Sequence, residues 1–417
     1  MSTYIIRGGN PLNGTVSVSG AKNAALKMMA ASILTEETCV FTNVPDIKDV
    51  NTMLEVLSCL GADVFFNPDG TLTVTADGGL RDKAPYELVS QMRASIMVLG
   101  PLLARLGRAH VALPGGCNIG SRQIDMHLQG LKLMGANITT EHGYIEGKDK
   151  RLRGAIVPLD FPSVGATENI LMAGALAEGK TVIENAAREP EIINLADFLT
   201  KMGAKIDGAG TSVVTIEGVE KLHGAEHKIL PDRIEAGTFL IAGAMTGGEV
   251  TVTGASGRNM ELVLEKLKQA GVTVTEGEDA ITLTMKGRPR AVDVSTLPYP
   301  GFPTDLQPMM AAFLSTASGT SVLTENVFEN RFLYIDELNR MGASIRLDDH
   351  HAVIHGVDKL SGAEVRVPDL RAGAALVIAG LAADGETVIY DNCHIDRGYE
   401  SLDEKLKQLG ADITREC

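Results

Sequence analysis

Met202-Gly203-Ala204-Lys205-Ile206 is one of six versions of a single phrase, the others being Leu60-Gly61-Ala62-Asp63-Val64, Met134-Gly135-Ala136-Asn137-Ile138, Ala270-Gly271-Val272-Thr273-Val274, Met341-Gly342-Ala343-Ser344-Ile345 and Leu409-Gly410-Ala411-Asp412-Ile413. The glycines at 61, 135, 203, 271, 342 and 410 are separated by 74, 68, 68, 71 and 68 residues, so one unit of roughly seventy residues repeats along the whole chain. Each glycine follows an amphipathic run, as between Met260 and Ala270, and can take the left-handed conformation that ends a helix. A strand is expected next. A second, more apolar helix is expected to end at strand starts such as Gly179-Lys180-Thr181-Val182-Ile183 and Gly385-Glu386-Thr387-Val388-Ile389. The run Ala372 to Ala382 is small and apolar nearly all round, which suits burial in the middle of a domain. The class is α/β, with three units surrounding three such helices in each of two domains.

Length and composition agree with that division. At 417 residues the chain exceeds what one core usually serves, and no Pro/Gly/Ser-rich linker marks the boundary. A formal charge of −15, from 38 basic and 53 acidic residues, opposes broad nucleic-acid contact, so an anionic partner is expected in a local positive pocket. No apolar run has the length and lack of charge of a membrane span. The start, Met1 to Gly9, lacks the basic and apolar stretches of a secretory signal, and a cytoplasmic location is expected. The five cysteines, at 39, 59, 117, 393 and 417, have no metal-pair spacing and read as reduced thiols. No metal or other cofactor is expected: His350, His351 and His355 read as solvated loop residues, and His127 as a helix-face histidine within reach of a site. The pairs Met28-Met29 and Met309-Met310 read as core.

Two registers collect charge. Counting back 14 or 15 residues from the strand-start position reaches the beginning of the apolar helix, where Lys22, Arg93, Asp305 and Arg371 stand, with Asp232-Arg233 and Asp369 adjacent. The third copy carries uncharged Pro162-Ser163-Val164-Gly165 there. The second register lies 13 residues before the exit glycine and holds Lys48, Arg122, Arg258 and Arg397, while Arg331 lies 11 before Gly342. Any one of these cations could be a solvated loop charge or half of a surface ion pair. Taken together they favour a site for phosphorylated or carboxylated substrates, because a cation at a helix start opposes the dipole unless an anion intervenes.

The loop Leu113 to Arg122 sets Cys117 between glycines and beside a cation, where a thiol can have a lowered pKa and act as nucleophile or proton donor; a lone cysteine is otherwise a small buried hydrophobe. At these residues the chain resembles the enolpyruvyl transferase family, in its UDP-N-acetylglucosamine 1-carboxyvinyltransferase branch. The resemblance runs from end to end. It rests on Gly20 to Ala24, Arg93-Ala94-Ser95, Pro114 to Gly120, Arg122 to Asp125, Pro162 to Asn169, Phe302 to Asp305, Glu329-Asn330-Arg331, Asp369-Leu370-Arg371 and Asp396-Arg397-Gly398.

That resemblance implies a two-domain inside-out α/β barrel: residues 22–229 form the first three-unit domain with the Cys117 loop, residues 1–21 and 230–417 form the second, and the active site lies in the cleft between them. It also implies transfer of the enolpyruvyl group of phosphoenolpyruvate to the 3-hydroxyl of UDP-N-acetylglucosamine, the first committed step of peptidoglycan synthesis. The implied catalytic set is Cys117, Asp305, Lys22 and Arg397, with Asp305 as candidate base and Cys117 as proton donor or covalent partner. Lys22, Asn23, Arg122, Arg331, Arg371 and Arg397 would hold phosphoenolpyruvate. Asn23, Arg93, Arg122, Gln123, Ile124, Asp125, Met126, Pro162, Ser163, Val164, Gly165, Asp305 and Val327 would contact the UDP-sugar. Asp369 and Arg371 would serve closure, the Cys117 loop would act as a lid, and fosfomycin would alkylate Cys117. No protein partner is implied. The alternatives are shikimate 3-phosphate enolpyruvyl transfer, against which the Cys117 loop argues, and a noncatalytic binding protein built from the same repeats.

Overall fold

The computed structural model describes residues 2–113, 115, 124–148 and 151–416. In the third copy, strand Ile156–Pro158 leads to helix Val164–Gly174, strand Lys180–Glu184, helix Pro190–Lys201 and the hairpin Lys205–Asp207 and Val213–Glu217. The first two strands pair in parallel, and the fourth lies antiparallel between the second and third. Six four-stranded sheets with this order occur among the described residues. The repeat read from the sequence is therefore a βαβαββ unit.

The amphipathic helices all end in the same way. At the exits, Gly61, Gly135, Gly203, Gly271, Gly342 and Gly410 have φ of 96°, 100°, 104°, 103°, 87° and 95°, and the next residue's N–H reaches the carbonyl of Leu57, Leu131, Leu199, Leu267, Leu338 or Leu406 at 3.0–3.1 Å. This is the Schellman arrangement, in which a left-handed residue turns the chain so that orphan helix carbonyls are satisfied. The leucine three residues inside each end packs in the core, and the strand leaves in a fixed direction.

The chain divides into two compact units. One runs from Gly20 to Leu230; the other joins the chain up to Ser19 to the part from Pro231 onward. Within the second, strand Asn13–Ser17 pairs in parallel with Glu249–Thr253, filling the first place of the fourth copy's sheet. Strand Ser2–Arg7 lies between Glu386–Asp391 and Asp412–Glu416, filling the fourth place of the sixth. In the Gly20–Leu230 unit, Glu226–Lys228 pairs with Cys39–Thr42, the first copy's sheet, and the Ala21 N–H donates to the Leu230 carbonyl at 2.7 Å. Gly20 is required by space: a Cβ there would lie 1.8 Å from the Asn43 carbonyl oxygen.

Each unit keeps its apolar helices inside. In the unit from Pro231 onward these are Arg233–Thr246, Gln307–Leu314 and Leu370–Ala382, mutually packed; every residue from Leu370 to Leu381 is buried. In the other, Lys22–Ala31 packs on the 3-10 turn Arg93–Val98, which continues into Leu99–Leu106 and packs on Val164–Gly174. Met28, Met29, Met309 and Met310 are at most 1% exposed, as core residues. The histidine reading needs correction: His351 and His355 lie on strand His351–His355, where their Nδ1 atoms sit 2.9 Å from the Thr324 and Thr320 hydroxyls. Among the described residues no helix is long and apolar enough to cross a membrane.

Candidate active site

In the unit from Pro231 onward, the three buried helices bring their charged starts together. Asp232 caps Arg233–Thr246 by accepting the Ile234 and Glu235 N–H groups at 2.8 and 3.1 Å. Asp369 caps Leu370–Ala382 by accepting from Arg371 and Ala372 at 2.9 and 3.1 Å. Both satisfy amides that a helix start leaves without partners. Asp305 lies in the 3-10 turn Thr304–Leu306 that opens the third helix, and its two carboxylate oxygens accept separately from Arg331 Nη2 at 2.9 Å and Arg371 Nη2 at 3.0 Å.

The two arginine side chains are 3% and 4% exposed, the Asp305 side chain 24%. Burial alone would lower the Arg371 pKa; Asp305, Tyr399 and Asp232 outweigh it and hold the guanidinium above its ordinary value, so it is permanently charged. It lies 5.3 Å from the Tyr399 ring centroid, and the Tyr399 hydroxyl is 2.9 Å from that of Thr238. Among the described residues Arg331 Nε and Arg371 Nη1 are buried without a hydrogen-bond acceptor, donors of the kind an anionic group takes. Val327 follows on the loop after strand Thr320–Thr324, and half-buried Arg397 ends the 3-10 turn Ile395–Arg397.

In the Gly20–Leu230 unit, Lys22 is the first residue of its helix, after Ala21, which offers no side-chain cap. Its Nζ lies 2.6 Å from Asp49 Oδ2, on the first turn of helix Lys48–Cys59. A cation at a helix start opposes the dipole, and Asp49 offsets that while sitting favourably at the start of its own helix. The Asn23 carbonyl accepts from Lys27 Nζ at 2.6 Å, and Lys27 lies 3.4 Å from buried Glu168. Burial pushes the Glu168 carboxyl up to about 7 against the pull of Lys27, with Glu191 and Glu189 adding to the rise.

Arg93 opens the turn Arg93–Val98, and Ser163 caps helix Val164–Gly174 by accepting from Ala166 at 3.3 Å. Pro162 precedes that cap; a Cβ on Gly165 would come 3.0 Å from the His127 ring. Ile124 is the N-cap of helix Asp125–Leu133, with Asp125 and Met126 in its first turn. His127 is buried, its Nδ1 3.1 Å from Asn169 Nδ2. Cys117, Arg122 and Gln123, with the lid reading of their loop, lie outside the described residues. Among those described, no group of three or more His, Cys, Asp or Glu side chains could hold a metal ion.

The chain is similar to known proteins in sequence and in fold. The family model described as EPSP synthase (3-phosphoshikimate 1-carboxyvinyltransferase) matches residues 6–406. UDP-N-acetylglucosamine 1-carboxyvinyltransferase 2 of Carboxydothermus hydrogenoformans is 54% identical over 417 residues, covering 100% of this chain and 99% of that one. UDP-N-acetylglucosamine 1-carboxyvinyltransferase 1 of Caldanaerobacter subterraneus is 52% identical over 413 residues, 99% of both chains. The chain belongs to the UDP-N-acetylglucosamine 1-carboxyvinyltransferases of the enolpyruvyl transferase family. Among solved structures, the enolpyruvyl transferase NikO from Streptomyces tendae superposes with a TM-score of 0.90 at 28% identity, covering 99% of this chain and 98% of that one. An EPSP synthase from Acinetobacter baumannii, 21% identical with a TM-score of 0.76 over 100% of both chains, shares the inside-out α/β fold.

For this carboxyvinyltransferase family member, sequence reasoning found the charged helix starts but missed their partners. Asp49 had a signal, an acidic residue one place after Lys48 in the second register. Tyr399 and the Lys27–Glu168 pair had none, because their roles depend on which side chains the closed ring of helices brings close.

Proposed function

We propose that the chain transfers the enolpyruvyl group of phosphoenolpyruvate to the 3-hydroxyl of UDP-N-acetylglucosamine with release of phosphate, by addition and elimination through a tetrahedral intermediate. The observation that carries this is identity of 51–54%, over essentially the full length, to enzymes named for that reaction. In the addition, the sugar oxygen bonds to C2 as its proton passes to a base and C3 takes a proton from an acid. In the elimination, C3 loses a proton and the C2–O bond to phosphate breaks, which restores the double bond. The chemistry needs a base, an acid and a cationic cradle.

Asp305 is assigned as the base or as the group that orients the hydroxyl. Its carboxylate accepts one bond on each oxygen, from Arg331 and Arg371, which holds it in a fixed orientation for the hydroxyl. Cys117 is assigned to proton donation at C3, or to an adduct with phosphoenolpyruvate, and to alkylation by fosfomycin. Lys22, Asn23, Arg122, Arg331, Arg371 and Arg397 are assigned to the phosphate and carboxylate of phosphoenolpyruvate, for which paired guanidinium N–H groups suit two-oxygen anions. Asn23, Arg93, the stretch 122–126, residues 162–165, Asp305 and Val327 are assigned to the UDP-sugar, and Asp369 with Arg371 to closure. Proton transfer and charge neutralisation by these side chains complete the reaction without a metal. The enzyme is placed in the cytoplasm, at the first committed step of peptidoglycan synthesis, acting on small molecules without an obligatory protein partner.

The test is phosphate release from phosphoenolpyruvate with either UDP-N-acetylglucosamine or shikimate 3-phosphate, repeated for Cys117→Ala. Release with the sugar nucleotide alone is expected, and loss in the variant. Release only with shikimate 3-phosphate would overturn the assignment.

A further inference from the structure

Glu325 follows strand Thr320–Thr324 and is 3% exposed, yet no cation pairs with it among the described residues. Its carboxylate is met by four donors. Oε1 accepts from the Thr296 hydroxyl at 2.8 Å and from the backbone N–H groups of Val327 and Phe328 at 2.8 and 3.2 Å. Oε2 accepts from the Thr304 hydroxyl at 3.0 Å. Hydrogen bonds from four donors hold this buried carboxylate in one orientation. Thr296 is itself fully buried and is locked from the other side, since its hydroxyl accepts from Asn326 N–H at 3.0 Å and its carbonyl from Asn326 Nδ2 at 3.1 Å.

The four donors come from three separate segments. Thr304 begins the turn whose next residue is Asp305; Val327 and Phe328 begin the loop that runs on to Arg331; Thr296 follows the edge strand Val294–Ser295. One carboxylate therefore fixes the spacing between the turn carrying Asp305 and the loop carrying Val327 and Arg331. We propose that Glu325 is a positioning residue for the acceptor sugar: through the Thr304 hydroxyl it sets the Asp305 carboxylate against the reacting hydroxyl, and through the Val327 and Phe328 amides it sets the loop beside it. This rests on the assignment of Asp305 to the 3-hydroxyl.

Thr304→Val removes the single bond between Glu325 and the Asp305 turn while keeping the shape of the side chain. With phosphoenolpyruvate and UDP-N-acetylglucosamine, its kcat is expected to fall by about 10- to 100-fold while KM for the sugar nucleotide moves by less than about threefold, as expected for an interaction that matters in the transition state. Glu325→Ala should fall at least as far. In an Asp305→Asn background, Thr304→Val should produce no further loss, because the group it positions is already gone. Equal fractional losses in both backgrounds would show a general structural role and overturn the proposal, as would a wild-type kcat for Thr304→Val. A wild-type kcat for Asp305→Asn alone would instead overturn the assignment on which the proposal rests, so the two failures are told apart. Should Glu325→Ala fail to fold, the Thr304→Val pair of measurements decides the matter.

Discussion

Arg371 Nη2 donates to Asp305 Oδ2 across 3.0 Å, joining the first turn of one buried helix to the turn that opens another. The two residues are 66 apart in sequence, close to the repeat length, and they meet because successive copies start their apolar helices at one end of the ring. Repetition thus supplies the convergence, and substitution within one register supplies the chemistry: aspartate in one copy, arginine in the next.

Asp305→Asn is expected to lower kcat by about 10²–10⁴, the usual range for loss of a general base. The variant also leaves two buried guanidiniums with weaker acceptors, so its stability should fall, by less than the ~3–5 kcal/mol typical of breaking a fully buried pair because Asp305 is partly exposed. Steady-state kinetics alongside urea unfolding separates the two effects. A fully folded variant with kcat within tenfold of wild type would remove Asp305 from the proton-transfer step.

The helix exits give a test of the fold. Gly410 has φ of 95° and open space where a Cβ would go, so Gly410→Ala should cost only the backbone strain of a left-handed residue, about 1–2 kcal/mol. At Gly61 the φ is 96°, but a Cβ would lie 2.5 Å from the Gly79 carbonyl oxygen, so the same substitution adds an overpacking cost of about 1–3 kcal/mol. Urea midpoints should therefore rank wild type above Gly410→Ala above Gly61→Ala, and equal losses would contradict this account.

How much was legible follows from the same positions. The exit phrase could be read because Schellman geometry demands glycine at one place and an apolar residue on each side, a constraint local in sequence. The helix-start charges could be read because burial of an apolar helix leaves an isolated charge conspicuous. Which charges meet could not: Lys22 pairs with Asp49, whereas Arg371 pairs with Asp305 at the start of the preceding copy's buried helix, and both registers look alike on paper. The strand places of Ser2–Arg7 and Asn13–Ser17, in sheets built from residues beyond 248, follow from long-range pairing to which local pattern is blind.

His227 sets a pH dependence of known sign. Asn194 Oδ1 accepts the Leu230 N–H at 3.1 Å, so its Nδ2, 2.8 Å from His227 Nε2, is the donor and the imidazole nitrogen is the acceptor, which requires a neutral ring. Burial, with Lys201 adding, pushes the imidazole down to about 4 from the ordinary 6.5. A depressed pKa contributes stability that is fully present above 6.5 and is lost as the pH falls through about 4, at most about 3 kcal/mol at roughly 1.4 kcal/mol per unit. His227→Gln should show a smaller fall in thermal midpoint than wild type between pH 6.5 and pH 4. An unchanged slope would mean that the ring is protonated in the fold.

Ser163 links stability to substrate binding. Its hydroxyl accepts the Ala166 N–H at 3.3 Å, a long bond, so Ser163→Ala should cost about 0.5–1 kcal/mol, the low part of the range for N-caps. The backbone amides of the same turn, residues 162–165, are assigned to the sugar nucleotide, and a frayed turn would present them poorly. Ser163→Ala is therefore expected to raise KM for UDP-N-acetylglucosamine several-fold with kcat at saturation unchanged, because binding is weakened equally in ground and transition states. Ser163→Thr, which keeps the capping oxygen, should restore both stability and KM. If Ser163→Ala loses stability but keeps its KM, the first turn of helix Val164–Gly174 is only a structural start, and the nucleotide contacts assigned to it are wrong.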